Sequence, residues 1–126
     1  MSNAVIITVA LKNSNDNPPK LKLIDSLGGS GDNNLNTEVA LGANVTWVPD
    51  LASGIQSIEI VPKENETSIF STNPHNTGNG NYEASIVEKE PEKNGKKIKS
   101  EDYSIKFYID GDPQNYTDDP KLSIKT

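Results

Sequence analysis

Few residues of this 126-residue chain are equipped for chemistry. There is one histidine, His75, in the run Asn73-Pro-His-Asn-Thr77, and there is no cysteine. A lone imidazole in a polar loop can ligate a metal ion or serve as a general base. A small hydrolase using His75 is therefore the enzymatic reading. No nucleophile stands at a spacing that selects it as a partner for His75, and no Walker loop, dinucleotide fingerprint, HExxH pair or nucleophile elbow occurs. The sequence nominates no catalytic residue, and the expectation is a protein that is not an enzyme. Without cysteine, disulfides, zinc–thiolate sites, iron–sulfur centres and thiol nucleophiles are excluded.

The acidic residues Asp110, Asp112, Asp118 and Asp119 bracket one segment, Asp110-Gly-Asp-Pro-Gln-Asn-Tyr-Thr-Asp-Asp119. Carboxylate and carbonyl oxygens are what Ca²⁺ prefers. With His75, these four are the candidate ligands of a weak Ca²⁺ or Zn²⁺ site. The spacing is not that of an EF-hand: counting from Asp110, the fifth position lacks Asp or Asn and the twelfth lacks Glu. Ordinary turn chemistry, in which Asp and Asn bond their own backbone, competes with metal binding. Beyond such a site no cofactor is expected. Tyr82, Tyr108 and Tyr116 lie at or near loops, as do His75 and Asn76, and these five are the candidate binding residues. Tyrosine among Asn, Asp and Gly is the composition of loop-built recognition surfaces, which take proteins or glycans.

Charge narrows the partners. The chain carries 18 acidic against 12 basic residues, a net charge of −6, and has no basic stripe for phosphate contacts, so nucleic acid is not an expected partner. The basic run Lys93-Asn-Gly-Lys-Lys-Ile-Lys99 follows Glu88-Lys-Glu-Pro-Glu92 and nearly cancels it. No apolar run approaches the length of a membrane-spanning helix, so no membrane insertion is expected. The start, Met1-Ser-Asn-Ala4, has no basic n-region and no cleavage site, so a cytoplasmic protein is expected, exported, if at all, without a signal peptide. If Ser-Asn-Ala is a tag remnant, secretion is the alternative. Three sequons begin at Asn44, Asn65 and Asn115, a number that this much Asn and Thr gives by chance.

The elements that must position these residues read as strands. Val5, Ile7, Val9 and Leu11 alternate with other residues, as do Leu21 with Leu23, Val45 with Trp47, and Ile58 with Ile60. Tyr82, Ala84 and Ile86 share a face. Tyr103, Ile105, Phe107 and Ile109 against Ser104, Lys106 and Tyr108 form the clearest alternation, and Leu122 and Ile124 close the series. Period-two alternation rich in β-branched and aromatic residues means half-buried strands. Polar loops are expected at Asn13–Pro19, Ser26–Asn34, Ser71–Asn81, Glu88–Ser100 and Asp110–Asp119. Helical signals are confined to short turns at Asp50–Ser53 and at Ser100-Glu-Asp-Tyr103.

The stretch Leu35-Asn-Thr-Glu-Val-Ala-Leu-Gly-Ala-Asn-Val-Thr-Trp-Val48 resembles the opening of cupredoxin-like domains. Tyr103-Ser-Ile-Lys-Phe107 and the closing Asp119-Pro-Lys-Leu-Ser-Ile124 resemble later strands of small bacterial members of that group. The resemblance covers about the last two-thirds of the chain, and its Gly-x-x-Val-x-Trp core also occurs in immunoglobulin-like sandwiches. It implies a sandwich fold. Blue copper needs two His, a Cys thiolate and usually a weak Met, whereas this chain has one His, no Cys and only Met1. Copper is not expected, and the resemblance implies a copper-free relative whose redox function is not carried over.

The resulting expectation is an all-β chain: one antiparallel β-sandwich of about seven to eight strands, cupredoxin-like or immunoglobulin-like, forming a single domain over residues 1–126. Its core would hold Val45, Trp47, Ile58, Ile60, Ile86, Ile105, Phe107 and Leu122. The expected function is loop-mediated binding of a protein or glycan, with a cargo or accessory role in a bacterial secretion or injection system as one setting. A Ca²⁺- or Zn²⁺-binding sandwich is the alternative. A monomer or weak dimer is expected.

Overall fold

The computed structural model describes residues 4–12, 20–26, 28–31, 36–62, 69–78 and 80–124. The expected loop 13–19 and the sequon at Asn65 lie outside them. In chain order the strands are β1 (Ala4–Leu11), β2 (Leu21–Asp25), β3 (Ser30–Gly31), β4 (Asn36–Val39), β5 (Asn44–Pro49), β6 (Ile55–Pro62), β7 (Phe70–Asn76), β8 (Tyr82–Ile86), β9 (Glu92–Lys93), β10 (Lys96–Lys97), β11 (Ser100–Ile109), β12 (Asn115–Asp118) and β13 (Lys121–Ile124). One 3-10 turn, Leu51–Ser53, separates β5 from β6. Asp50 caps it by accepting from the Ala52 N–H, and Gly54 ends it at φ 106°, a left-handed value that suits a residue without a Cβ.

Two sheets pack face to face. The first runs β3-β2-β1-β5-β8-β7. The second is built on β11, the longest strand, with β6 along one side and β12 and β13 in succession along the other, and β4 beyond β13. A Tyr103 N–H to Pro120 carbonyl bond of 3.2 Å bridges the gap between β12 and β13. Among the described residues the arms β9 and β10 pair only with each other, around an Asn94-Gly95 turn whose two φ angles are positive, 54° and 77°.

The all-β sandwich is present, but it is not wholly antiparallel. β1 pairs β5 in parallel, and β13 pairs β4 in parallel. Period-two alternation is the same in both orientations, so the sequence pattern carries no signal for strand direction. Among the described residues ten strands reach four residues or more, beyond the seven or eight expected. β7 and β12 fall within segments that read as loops, and Ser100-Glu-Asp-Tyr103, read as a turn, is instead the first part of β11.

All eight expected core residues are buried, in one cluster fed by both sheets. Trp47 lies at its centre. Its ring meets Tyr103 edge-on at 5.4 Å and Phe70 at 6.5 Å, and its Nε1–H donates to the Tyr103 hydroxyl at 3.1 Å. Buried acids join the layers at their margins. Asp118 of β12 accepts from the Leu21 N–H of β2, Glu101 of β11 accepts from the Ile69 N–H beside β7, and Asp25 of β2 accepts from the Thr37 hydroxyl of β4. Each replaces water lost by a buried backbone or hydroxyl donor.

Candidate functional site

Strand register brings two hairpin tips to the same end of the sandwich. Tyr82, which opens β8, pairs with Trp47 near the end of β5, so the β7–β8 connection lies where β5 runs into the 3-10 turn. Ile55, which opens β6, pairs with Ile109 at the end of β11, so the β11–β12 connection lies there too. The Asp110 N–H donates to the Gly54 carbonyl at 3.0 Å, tying that hairpin to the turn.

The β11–β12 tip is held from within. The Asp112 N–H bonds the Ile109 carbonyl at 3.0 Å. The Asp112 carboxylate accepts from the Gln114 N–H at 2.9 Å and from the Tyr116 hydroxyl at 2.7 Å. The Gln114 N–H, then the Tyr116 hydroxyl, hold the Asp112 carboxyl below the usual carboxylate range. The same bond to Asp112 pushes the Tyr116 phenol up. Tyr116 turns inward opposite Phe107, with ring centroids 5.8 Å apart. It anchors the tip, with its ring packed against the core.

Tyr108 points the other way. It lies on the outer face of β11, half-buried, with the Lys106 ammonium 5.9 Å from its ring centroid. Its register partners on that face are Ser57 of β6 and Asn115 of β12, and those of Lys106 are Glu59 and Thr117. The outer face around Tyr108 thus carries hydroxyl, amide and charged groups, continuous with the hairpin tip.

The remaining candidates are dispersed. His75 and Asn76 end β7 and are exposed. His75 Nδ1 lies 3.0 Å from the Asn73 carbonyl oxygen, and its register partner is Glu83. Asn76 accepts from the Gly78 N–H at 2.7 Å, and Tyr82 is partly buried against the core. Asp118 is turned inward, and Asp119 accepts from the Ser104 hydroxyl at 2.7 Å. Asp112, Asp118 and Asp119 thus bond different partners, Asp110 is exposed, and no three His, Asp or Glu side chains converge on a cation position among the described residues. An open groove of about 680 Å³ lies on the outer face of the first sheet, at the end away from these tips, lined by Asn44, Thr72, Ser85 and Glu88 among others. Alternation had placed Tyr108 opposite Phe107; its polar neighbours come from strand pairing, which no local pattern announces.

No protein-family model and no curated protein matches the chain. Among solved structures it is similar to an endo-fucoidan hydrolase from glycoside hydrolase family 107, at 10% identity and a TM-score of 0.47. The match covers 85% of this chain and 18% of that one, so the chain spans less than a fifth of the enzyme's length.

Proposed function

We propose that the protein is a non-enzymatic binding module that recognises its ligand at the end of the sandwich carrying the β7–β8 and β11–β12 tips. The observation that supports this reading is the internal locking of the β11–β12 tip by Asp112, Gln114 and Tyr116. A surface loop fixed before contact loses little conformational entropy on binding. Tyr108 beside it, and the exposed His75 and Asn76 at the same end of the sandwich, offer rings and polar groups. The test is an array of glycans and displayed peptides probed with the wild type and with an Asp112→Ala/Tyr116→Phe double variant, which unlocks the tip while leaving the inward ring. Weaker binding by a variant that still unfolds cooperatively supports the reading. Equal binding by the two proteins contradicts it.

A further inference from the structure

Among the described residues each of the two packed sheets ends on two edge strands, and three of these four are blunted. β3 has two residues and β4 has four, while β7 carries Pro74 and two register shifts. β6 is different. It has eight residues, and among the described residues it pairs only with β11, in unbroken register from Ser57 to Pro62. We propose that the open edge of β6 pairs with β6 of a second copy of the chain, forming a weak two-fold dimer.

Strand register shows which backbone groups the edge offers. The Ile124 N–H donates to the Lys99 carbonyl at 2.7 Å and the Tyr103 N–H to the Pro120 carbonyl at 3.2 Å. Tyr103, Ile105 and Phe107 therefore turn their backbone groups toward β13 and β12. The alternate residues Ser104, Lys106 and Tyr108 turn theirs toward β6, where they meet Val61, Glu59 and Ser57. By the same alternation Ile58 and Ile60 turn their N–H and C=O groups away from β11, to the open edge. A further strand is the structure that supplies partners at that spacing.

The edge fits its own copy. Pro62 lacks an N–H and the register shifts between Ile55 and Ser57, so a longer foreign strand finds no further regular stretch to pair with. An antiparallel two-fold pair centred on Glu59 sets Ile58 of each copy opposite Ile60 of the other. Each such pair exchanges both N–H···O bonds, and the isoleucines continue the buried face of the sheet across the seam. This centre opposes Glu59 to its own copy, a cost of roughly two- to five-fold in affinity. Centring on Ile60 places Pro62 opposite Ile58, and centring on Ile58 reaches the register shift. Both forfeit backbone bonds, each worth roughly two- to ten-fold and lost in pairs by symmetry, so the Glu59-centred register is favoured. A seam this short buries less than the roughly 800 Å² per partner of a standard interface, and a dissociation constant of about 0.1–1 mM is expected. Two chains of charge −6 repel, so added salt should tighten the dimer. Antiparallel pairing turns the ends that carry the β7–β8 and β11–β12 tips in opposite directions, giving a two-ended binder; that consequence alone rests on the binding-module reading.

The test is sedimentation equilibrium of the full-length protein from about 10 µM to about 2 mM, with amide exchange of ¹⁵N-labelled protein measured at both ends of that range. A reversible monomer–dimer equilibrium is expected. The Ile58 and Ile60 amides should exchange about two-fold or more slowly at the high concentration, while those of Glu59 and Val61, already bonded to β11, should not change. Glu59→Gln should tighten the dimer roughly two- to five-fold by removing the opposed charges. Val61→Glu should weaken it by a similar factor, because it sets a second carboxylate diagonal to Glu59 across the seam; Val61 is 42% exposed, so the variant should still unfold cooperatively. A monomer at about 2 mM, a dimer whose Ile58 and Ile60 amides gain no protection, or a Glu59→Gln variant no tighter than the wild type overturns the proposal. Each of these results leaves the binding-module reading standing, because ligand recognition at the tips does not require the seam.

Discussion

Trp47 and Tyr103 share one hydrogen bond at the centre of the core, and each is fully buried. Burial holds the Tyr103 phenol above the ordinary tyrosine range, against the smaller opposing effect of the Trp47 bond. Because the folded value is raised, its stabilising effect is complete below about pH 10, the unfolded value, and is lost as pH climbs through the raised one. Tyr103→Phe should therefore make stability less dependent on pH above about 10, as read by urea unfolding across alkaline pH. At neutral pH it should cost about 1–3 kcal/mol, because the indole N–H is left without its acceptor. A second expectation concerns the tip. Asp112→Ala should bring the Tyr116 phenol back down toward the ordinary range, seen as an earlier step in its ultraviolet pH titration. An unmoved step would mean that the Asp112–Tyr116 bond does not persist in solution. At this scale the sequence was informative about burial and only partly so about partners. Alternation put Trp47, Phe107 and Ile105 inside, and the bond from the Gln114 N–H to Asp112 is the turn chemistry that its segment suggests; the bonds from Tyr116 to Asp112 and from Thr37 to Asp25 have no such local signature.

Among the elements, the strands with clean alternation, such as β1, β5 and β11, were legible because one face of each is more buried than the other. β7 was not. Only Phe70 of its seven residues is buried, Pro74 interrupts it, and its pairing with β8 contains two register shifts. These are the marks of an edge strand, which pairs on one side and is blunted on the other. β12 was hidden for a related reason: its four residues lie among Asp, Asn and Pro, and only strand pairing distinguishes them from a loop. The parallel pairs were illegible because direction leaves no trace in periodicity. What holds these elements as two layers includes the buried acids at the margins. Asp118→Ala should remove the acceptor of the buried Leu21 N–H and destabilise the fold by about 1–3 kcal/mol, measured as a lower urea midpoint with an unchanged slope. A midpoint equal to that of the wild type would show that water replaces the carboxylate there.

On the scale of the whole molecule, the topology does what no single segment announces. It carries the β7–β8 and β11–β12 tips to one end and joins the sheets there through the capped turn at Leu51–Ser53. The candidate residues named from sequence divide accordingly. His75, Asn76, Tyr108, Asp110 and Asp112 lie at or beside that end, Tyr82 and Tyr116 support it from within, and Asp118 and Asp119 serve the body of the sandwich. The measurement that tests the binding-module reading most directly is an amide chemical-shift map of the labelled protein with a ligand recovered from the glycan and peptide array. Shifts gathered on residues 54–57, 75–82 and 108–117 are predicted. Shifts gathered instead around Asn44, Thr72 and Ser85, at the other end of the first sheet, would contradict it.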